Sequence, residues 1–172
     1  MDSDSSVLMV LANHEFRDEE YLDTYDALRS AGIAVKIAAA VNEECIGTGG
    51  TEVGVNFTFD EVDPSQYEGI VFIGGVGIEG YLLDDSVHAL AKAFNSAGKP
   101  IAAICWAPAI LANAGILSGK QATSWSGAKE DLERGGASYT GTDVVIDGNI
   151  ITANGPDAAM KFGSTIARMV AG

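Results

Sequence analysis

The sequence predicts an α/β fold: three layers, with a mostly parallel sheet covered on both faces by helices. Three observations predict it. Runs of strand length alternate with stretches of helical period along the chain. Most of those runs are apolar throughout, as strands buried on both faces are, rather than alternating polar and apolar. Glycine or another turn former stands at most changes of element.

Val7 to Ala12 is a continuous apolar run of strand length. A helix follows over Arg17 to Ala31, where Tyr21, Leu22, Tyr25 and Leu28 share one face and Gly32 ends it. Ile33 to Val41 reads as the second strand. Cys45 to Phe59 is rich in Gly and Thr, and Val53, Val55, Phe57 and Phe59 alternate, which predicts a hairpin with one buried face. Ile70 to Ile73 is a short buried strand ending in Gly74-Gly75. Val87, Leu90, Ala91 and Phe94 mark a helix stopped by Gly98. Ile101 to Ile104 is the next buried strand, and it runs directly into Cys105. A helix from about Ala107 to Ala114, a weak strand over Gln121 to Ser124 and a short helix over Ala128 to Arg134 come next. Asp147-Gly148, between apolar runs in Val144 to Ala153, signals a hairpin turn. The last helix begins at Gly155-Pro156, where a missing N–H is harmless, and presents Ala159, Phe162, Ile166, Met169 and Val170 inward.

A chain of 172 residues without internal repeats or a linker is expected to form one domain over its whole length, with residues 1–6 as a flexible N-terminus. Such a chain buries roughly 70% of its unfolded surface and needs no metal or disulfide staple. With 24 acidic and 10 basic side chains the net charge is −14, which excludes the basic face that nucleic acid requires. No apolar run reaches the ~20 residues of a membrane span. Met1 to Ser6 is too acidic and polar for a signal peptide, and two cysteines are too few for a disulfide framework, so a reduced cytoplasm is the expected setting. The two histidines and two cysteines show no zinc spacing, so no metal is expected. Gly74-Gly75-Val76-Gly77 lacks the dinucleotide spacing and no phosphate-loop lysine follows it, so no cofactor is expected either.

In sheets of this kind ligands bind beyond the carboxyl ends of the strands, which directs attention to the loops after Ala12, Ile73 and Ile104. Cys105, delivered by a buried strand to a helix start, is a candidate nucleophile with a pKa expected below the free value of ~8.5. The alternative is a small core residue, since free cysteine is often buried. Gly74-Gly75 lets backbone approach a ligand closely. The N–H groups of Gly74, Gly75 and Trp106 are candidate oxyanion donors, although a turn needing positive φ explains the glycines equally well. Among Glu15, Asp18, Glu19 and Glu20, one carboxyl could turn inward and handle a proton beside Cys105, while the others form a solvated helix start. His14 is a candidate base from the same loop. His88 reads as structural and Cys45 as a plain thiol.

At Phe16-Arg17-Asp18-Glu19-Glu20, Phe72-Ile73-Gly74-Gly75, Ala102-Ala103-Ile104-Cys105, Leu111-Ala112 to Gly119-Lys120 and Asn149 to Pro156, the chain resembles the ThiJ/PfpI superfamily. This flavodoxin-like group contains the Parkinson-associated protein deglycase and archaeal intracellular cysteine peptidases, with class I glutamine amidotransferases as relatives. The resemblance implies a flavodoxin-like three-layer sandwich with Cys105 on a nucleophile elbow. It selects Glu20 as the partner acid, twelve positions before Gly32, and Gly74 and Gly75 as the oxyanion backbone. It implies a homodimer or higher homo-oligomer, and makes Glu79 a candidate for an acid that reaches a neighbouring subunit's site. Two departures stand out. The peptidase branch has a histidine directly after the cysteine, where this chain has Trp106. The deglycase branch has one twenty residues after it, where this chain has Trp125.

Two classes of function stay open at this level. One is a cysteine-dependent hydrolase or lyase of glyoxalase or deglycase type, acting in stress defence on a small carbonyl substrate. The other is a non-enzymatic redox-sensing or chaperone-like stress protein using the same cysteine. Proteolysis ranks below both, because no histidine is in place to return a proton to a leaving amine. Trp106 and Trp125 either wall the pocket or pack in the core.

Six lysines against thirteen aspartates fit a protein adapted to a salt-rich cytoplasm, with ordinary solubilising charge as the alternative. If self-repulsion at −14 limits stability, the thermal midpoint rises from low salt to molar potassium chloride. A flat or falling midpoint leaves only solubilising charge.

Overall fold

The computed structural model describes residues 5–172. Its elements in chain order are β1 (Ser6–Val10), β2 (His14–Phe16), α1 (Asp18–Ser30), β3 (Ala34–Ala39), β4 (Cys45–Gly47), β5 (Glu52–Val53), β6 (Phe57–Thr58), β7 (Gly69–Phe72), α2 (Asp85–Ser96), β8 (Ile101–Ile104), α3 (Pro108–Asn113), β9 (Gln121–Ala122), α4 (Lys129–Arg134), β10 (Ser138–Tyr139), β11 (Val144–Asp147), β12 (Ile150–Ala153) and α5 (Ala159–Ala171). The expected flexible segment, residues 1–6, lies outside the described residues up to position 4. Beyond it Ser5 already accepts a hydrogen bond from the Ala34 N–H, and Ser6 opens β1.

Seven strands form the main sheet in the order β11-β12-β8-β7-β1-β3-β6. All pairings are parallel except β11–β12, a hairpin closed at Asp147-Gly148 with Gly148 at φ +62°. The continuous apolar runs have a direct physical cause. Side chains alternate between faces, so Leu8, Val10, Phe72 and Ala103 enter the core beneath α2 and α3. Val7, Met9, Val71, Ala102 and Ile104 enter the opposite core beneath α1 and α5. A strand buried twice has no polar face to show.

The helices follow the same rule with small departures. In α1, Leu22 points outward and Thr24 takes a buried place beside Tyr21 and Leu28. In α5, Ala159, Phe162 and Ile166 are buried, while Met169 and Val170 pack only in part, and a 3₁₀ turn at Pro156–Ala158 leads into the helix. No helix among the described residues is long and apolar enough to cross a membrane.

One expected element is different. Cys45 to Phe59 is not a single hairpin. Only β4 and β5 pair antiparallel, and β4 pairs on its other side with β2, giving a separate three-stranded sheet. The alternation at Phe57 belongs to β6, which leaves to join the edge of the main sheet beside β3. Asn56 draws it there: its N–H donates to the Ile37 carbonyl at 3.0 Å and its side chain accepts from the Ile37 N–H at 2.8 Å. Phe59 then begins a 3₁₀ turn.

The buried face of α5 gives a stability prediction. Phe162→Ala should destabilise the fold by about 3–5 kcal/mol in urea unfolding, whereas Met160→Ala, on the exposed face, should stay within about 0.5 kcal/mol of wild type.

Candidate active site

The sheet reverses its winding between β1 and β7. Chain leaves β1 toward β3 on one side and returns to β7 on the other, the arrangement that opens a crevice at strand carboxyl ends. Three segments meet there: the β2–α1 stretch after β1, Gly74-Gly75 after β7, and Cys105 after β8. Cys105 has φ +83°, one of two non-glycine residues in that region among the described residues, and its N–H donates to the Ala153 carbonyl at 3.0 Å. The backbone therefore turns sharply at the sulfur-bearing residue before α3 begins.

Glu20 is the acid that turns inward. It is 1% exposed, and its Oε1 accepts the Gly74 N–H at 3.0 Å. Its Oε2 is buried without a hydrogen-bond partner, and the carboxyl interacts with the Cys105 thiol. Burial pushes the Glu20 carboxyl up to about 7, against the opposing pull of the Gly74 N–H, the thiol and the Arg17 guanidinium. The other acids serve elsewhere. Asp18 accepts from the Gly49 and Thr51 N–H groups at 2.6 and 3.0 Å and ties down the β4–β5 hairpin, which holds its carboxyl below the usual range despite burial. Glu19 pairs with Arg17 at 2.8 Å, and Glu15 is exposed.

The thiol differs from its expected state. Burial first, and the Glu20 carboxylate second, push Cys105 up to about 12, while the Trp106 N–H and Arg17 act weakly the other way. The helix start was expected to lower it. Here α3 has only six residues and opens with Pro108, which has no N–H to offer. Two acids in one closed space cannot both be anionic at low cost. The carboxyl gives up its proton first, and the thiol keeps its own. Cys45 is fully buried, and burial lifts it to about 11.

The glycines are required by close approach. A Cβ on Gly74 would lie 2.7 Å from Glu20 Oε1, 2.7 Å from the Ile104 carbonyl and 2.8 Å from Cys105 Cβ. Gly75 has φ +116°, and a Cβ there would strike the Glu15–Arg17 backbone. Because the Gly74 N–H is committed to Glu20, it is not an oxyanion donor as expected. Gly75 and Trp106 line the cavity, and the Trp106 N–H faces the sulfur.

The cavity over Cys105 holds about 310 Å³. Glu20, Gly75, Trp106 and Trp125, all candidates from sequence, border it. Arg17, Thr48, Val76, Asn154 and Pro156 complete it and were not singled out as site residues from sequence; of these, Thr48 alone stood outside every quoted motif. Trp106 and Trp125 meet edge to face, with ring centroids 5.8 Å apart at 67°; both wall the cavity, and Trp106 also packs against the core. His14 is exposed and does not line the cavity. Its carbonyl lies so close to Gly77 that no Cβ would fit there. Glu79 is exposed on a 3₁₀ turn outside the cavity lining. His88 sits on α2 with Nε2 2.8 Å from the Leu82 carbonyl. Neither histidine reaches Cys105, so the cavity has no imidazole. Among the described residues no group of three or more His, Cys, Asp or Glu side chains is placed to hold a metal ion.

The model of the DJ-1/PfpI family matches residues 5–169. The chain belongs to the DJ-1/PfpI family. Within it, the chain is 39% identical over 169 residues to the protein MJ0967 of Methanocaldococcus jannaschii, covering 96% of this chain and 82% of that one. It is 37% identical over 150 residues to the deglycase PH1704 of Pyrococcus horikoshii, covering 87% and 90%. The ThiJ/PfpI domain protein of Brachyspira murdochii superposes with a TM-score of 0.95 at 31% identity over 96% of both chains.

The buried carboxyl makes a pH prediction. Glu20 binds its proton more tightly folded, at about 7, than at its ordinary 4.5. Its contribution to stability is therefore complete below pH ~4.5 and is lost as pH rises to about 7, a change of as much as about 3 kcal/mol. Glu20→Gln should gain stability relative to wild type across that window in denaturant titrations. A constant difference between the two proteins would show that Glu20 titrates normally.

Proposed function

We propose that the chain is a cysteine-dependent hydrolase or lyase acting on reactive aldehydes or glycated groups. The observation that carries this reading is a carboxyl buried beside a cysteine on one cavity, where burial raises the carboxyl to about 7 and leaves the thiol its proton. A base poised near neutrality takes a proton from a nucleophile that holds it until substrate arrives. In the first step the Cys105 sulfur bonds to the aldehyde carbon and the S–H proton passes to Glu20. The C=O π pair moves to oxygen, opposite the N–H groups of Gly75 and Trp106. Glu20 then returns the proton to that oxygen, giving a hemithioacetal. Atoms and charge balance without an oxidant or cofactor. The deglycase name carried by a relative of 37% identity supports the same class.

The redox-sensing reading uses the same pair: peroxide reacts with thiolate, and Glu20 would have to take the Cys105 proton for peroxide as it does for an aldehyde. Proteolysis remains disfavoured, because a carboxylate serves poorly to protonate a departing amide nitrogen and no imidazole shares the cavity.

Glu20→Gln separates proton transfer from nucleophile strength. Removing the carboxylate should lower the Cys105 pKa, measured by the pH dependence of alkylation. Turnover of methylglyoxal should nonetheless fall by ~10²–10⁴-fold. Cys105→Ala should abolish turnover. Retained turnover in Cys105→Ala, or full turnover in Glu20→Gln, contradicts the proposal.

A further inference from the structure

We propose that the Trp106–Trp125 wall makes the site selective for carbonyl compounds bearing an uncharged aryl or bulky apolar substituent, over methyl or carboxylate ones. The inference deepens the reading of Cys105 as a carbonyl-attacking nucleophile and rests on it. Where an imidazole would extend proton chemistry, this cavity has two indoles in edge-to-face contact, joined by Val76 and Pro156. An aryl group placed over Cys105 would bury its faces against that surface, adding aromatic contact to apolar burial.

The wall is built to hold its position. The Trp125 backbone N–H donates to the carbonyl of Cys105 itself, so the segment that carries the indole is tied to the residue that carries the sulfur. The Trp125 six-membered ring lies directly on Gly127, where a Cβ would collide with it. Trp125 is nonetheless 47% exposed, which leaves ring surface for a ligand. An indole half in water and pinned from below by a glycine is placed for contact rather than for core packing.

Charge argues the same way. The guanidinium of Arg17 borders the cavity but is paired with Glu19 at 2.8 Å. A substrate carboxylate would have to share Arg17 with Glu19, and it would sit beside Glu20 on a chain of net charge −14. A cationic substituent would meet Arg17. An uncharged apolar group meets neither cost.

The test uses the rate of Cys105 alkylation by three bromoketones: phenacyl bromide, bromoacetone and bromopyruvate. Each rate is divided by that of glutathione with the same reagent to remove intrinsic reactivity. In each reaction the sulfur–carbon bond forms as bromide leaves and the thiol proton is released. In wild type the corrected phenacyl rate should exceed the bromoacetone rate by about tenfold or more, with bromopyruvate slowest. Trp125→Ala should bring the aryl-to-methyl ratio close to one, and Trp125→Phe should restore most of it. Gly127→Ala, which keeps both indoles but displaces one, should also lower the ratio. A wild-type ratio near one, a ratio unchanged by both Trp125→Ala and Gly127→Ala, or bromopyruvate faster than bromoacetone overturns the inference. Consumption of phenylglyoxal and methylglyoxal by the same proteins tests the underlying function separately. Absence of consumption alongside an intact labelling ratio defeats the aldehyde-enzyme reading and leaves the wall's selectivity standing.

Discussion

The site depends on a carboxyl group kept out of water beside a thiol. Glu20 has one oxygen satisfied by a backbone N–H and the other buried without a partner. Leaving a polar atom in that state costs on the order of 1–3 kcal/mol, more if charged, and protonating the group is the available relief. That is why Glu20 titrates near neutrality and why the neighbouring sulfur keeps its proton. The chemistry proposed for the chain follows from this: neither group is committed to its anion at rest, and a carbonyl entering the cavity gives the shared proton a path to oxygen.

The fold keeps this arrangement in place. Parallel pairing of β1, β7 and β8 brings their carboxyl ends to one edge, so residues 20, 74 and 105 meet although they are far apart in sequence. Gly74 stands at the junction of the three. It stands between the Glu20 carboxyl, the Ile104 carbonyl and Cys105, and no larger residue fits. Asp18 anchors the segment from the other side by fastening the β4–β5 hairpin beneath the start of α1. A structural carboxylate and a titrating one thus stand two residues apart on one helix. They differ because burial dominates at Glu20, whereas bonds from Thr51 and Gly49 outweigh it at Asp18.

Much of this was legible in the sequence. Unbroken apolar runs revealed a sheet buried on both faces, and the junction of Ile104 with Cys105 revealed a strand feeding a turn. Glu20 could be chosen from four acids only through the family resemblance, since composition does not say which carboxyl points inward. The upward shift at Cys105 is not legible, because the sequence shows a helix start but not its length, nor how deeply the sulfur is buried. Pro108 was visible, yet its missing N–H matters only once the donors around the sulfur are known. The small sheet of β2, β4 and β5 was hidden for another reason: three-residue strands have no period to detect, and Asn56 diverts the chain by side-chain bonding that no alternation records. The tryptophan wall could be located at two positions, but their contact is a tertiary fact.

The most direct test of the central claim is a carbon-13 NMR titration of the Glu20 side-chain carboxyl, in wild type and in Cys105→Ala. The account predicts a midpoint near 7 in wild type, with the thiol still protonated there. It predicts a higher midpoint in Cys105→Ala, because the neighbouring thiol that favours the carboxylate is gone. A Glu20 midpoint near its ordinary 4.5, or a Cys105 thiolate already formed at neutral pH, would contradict it.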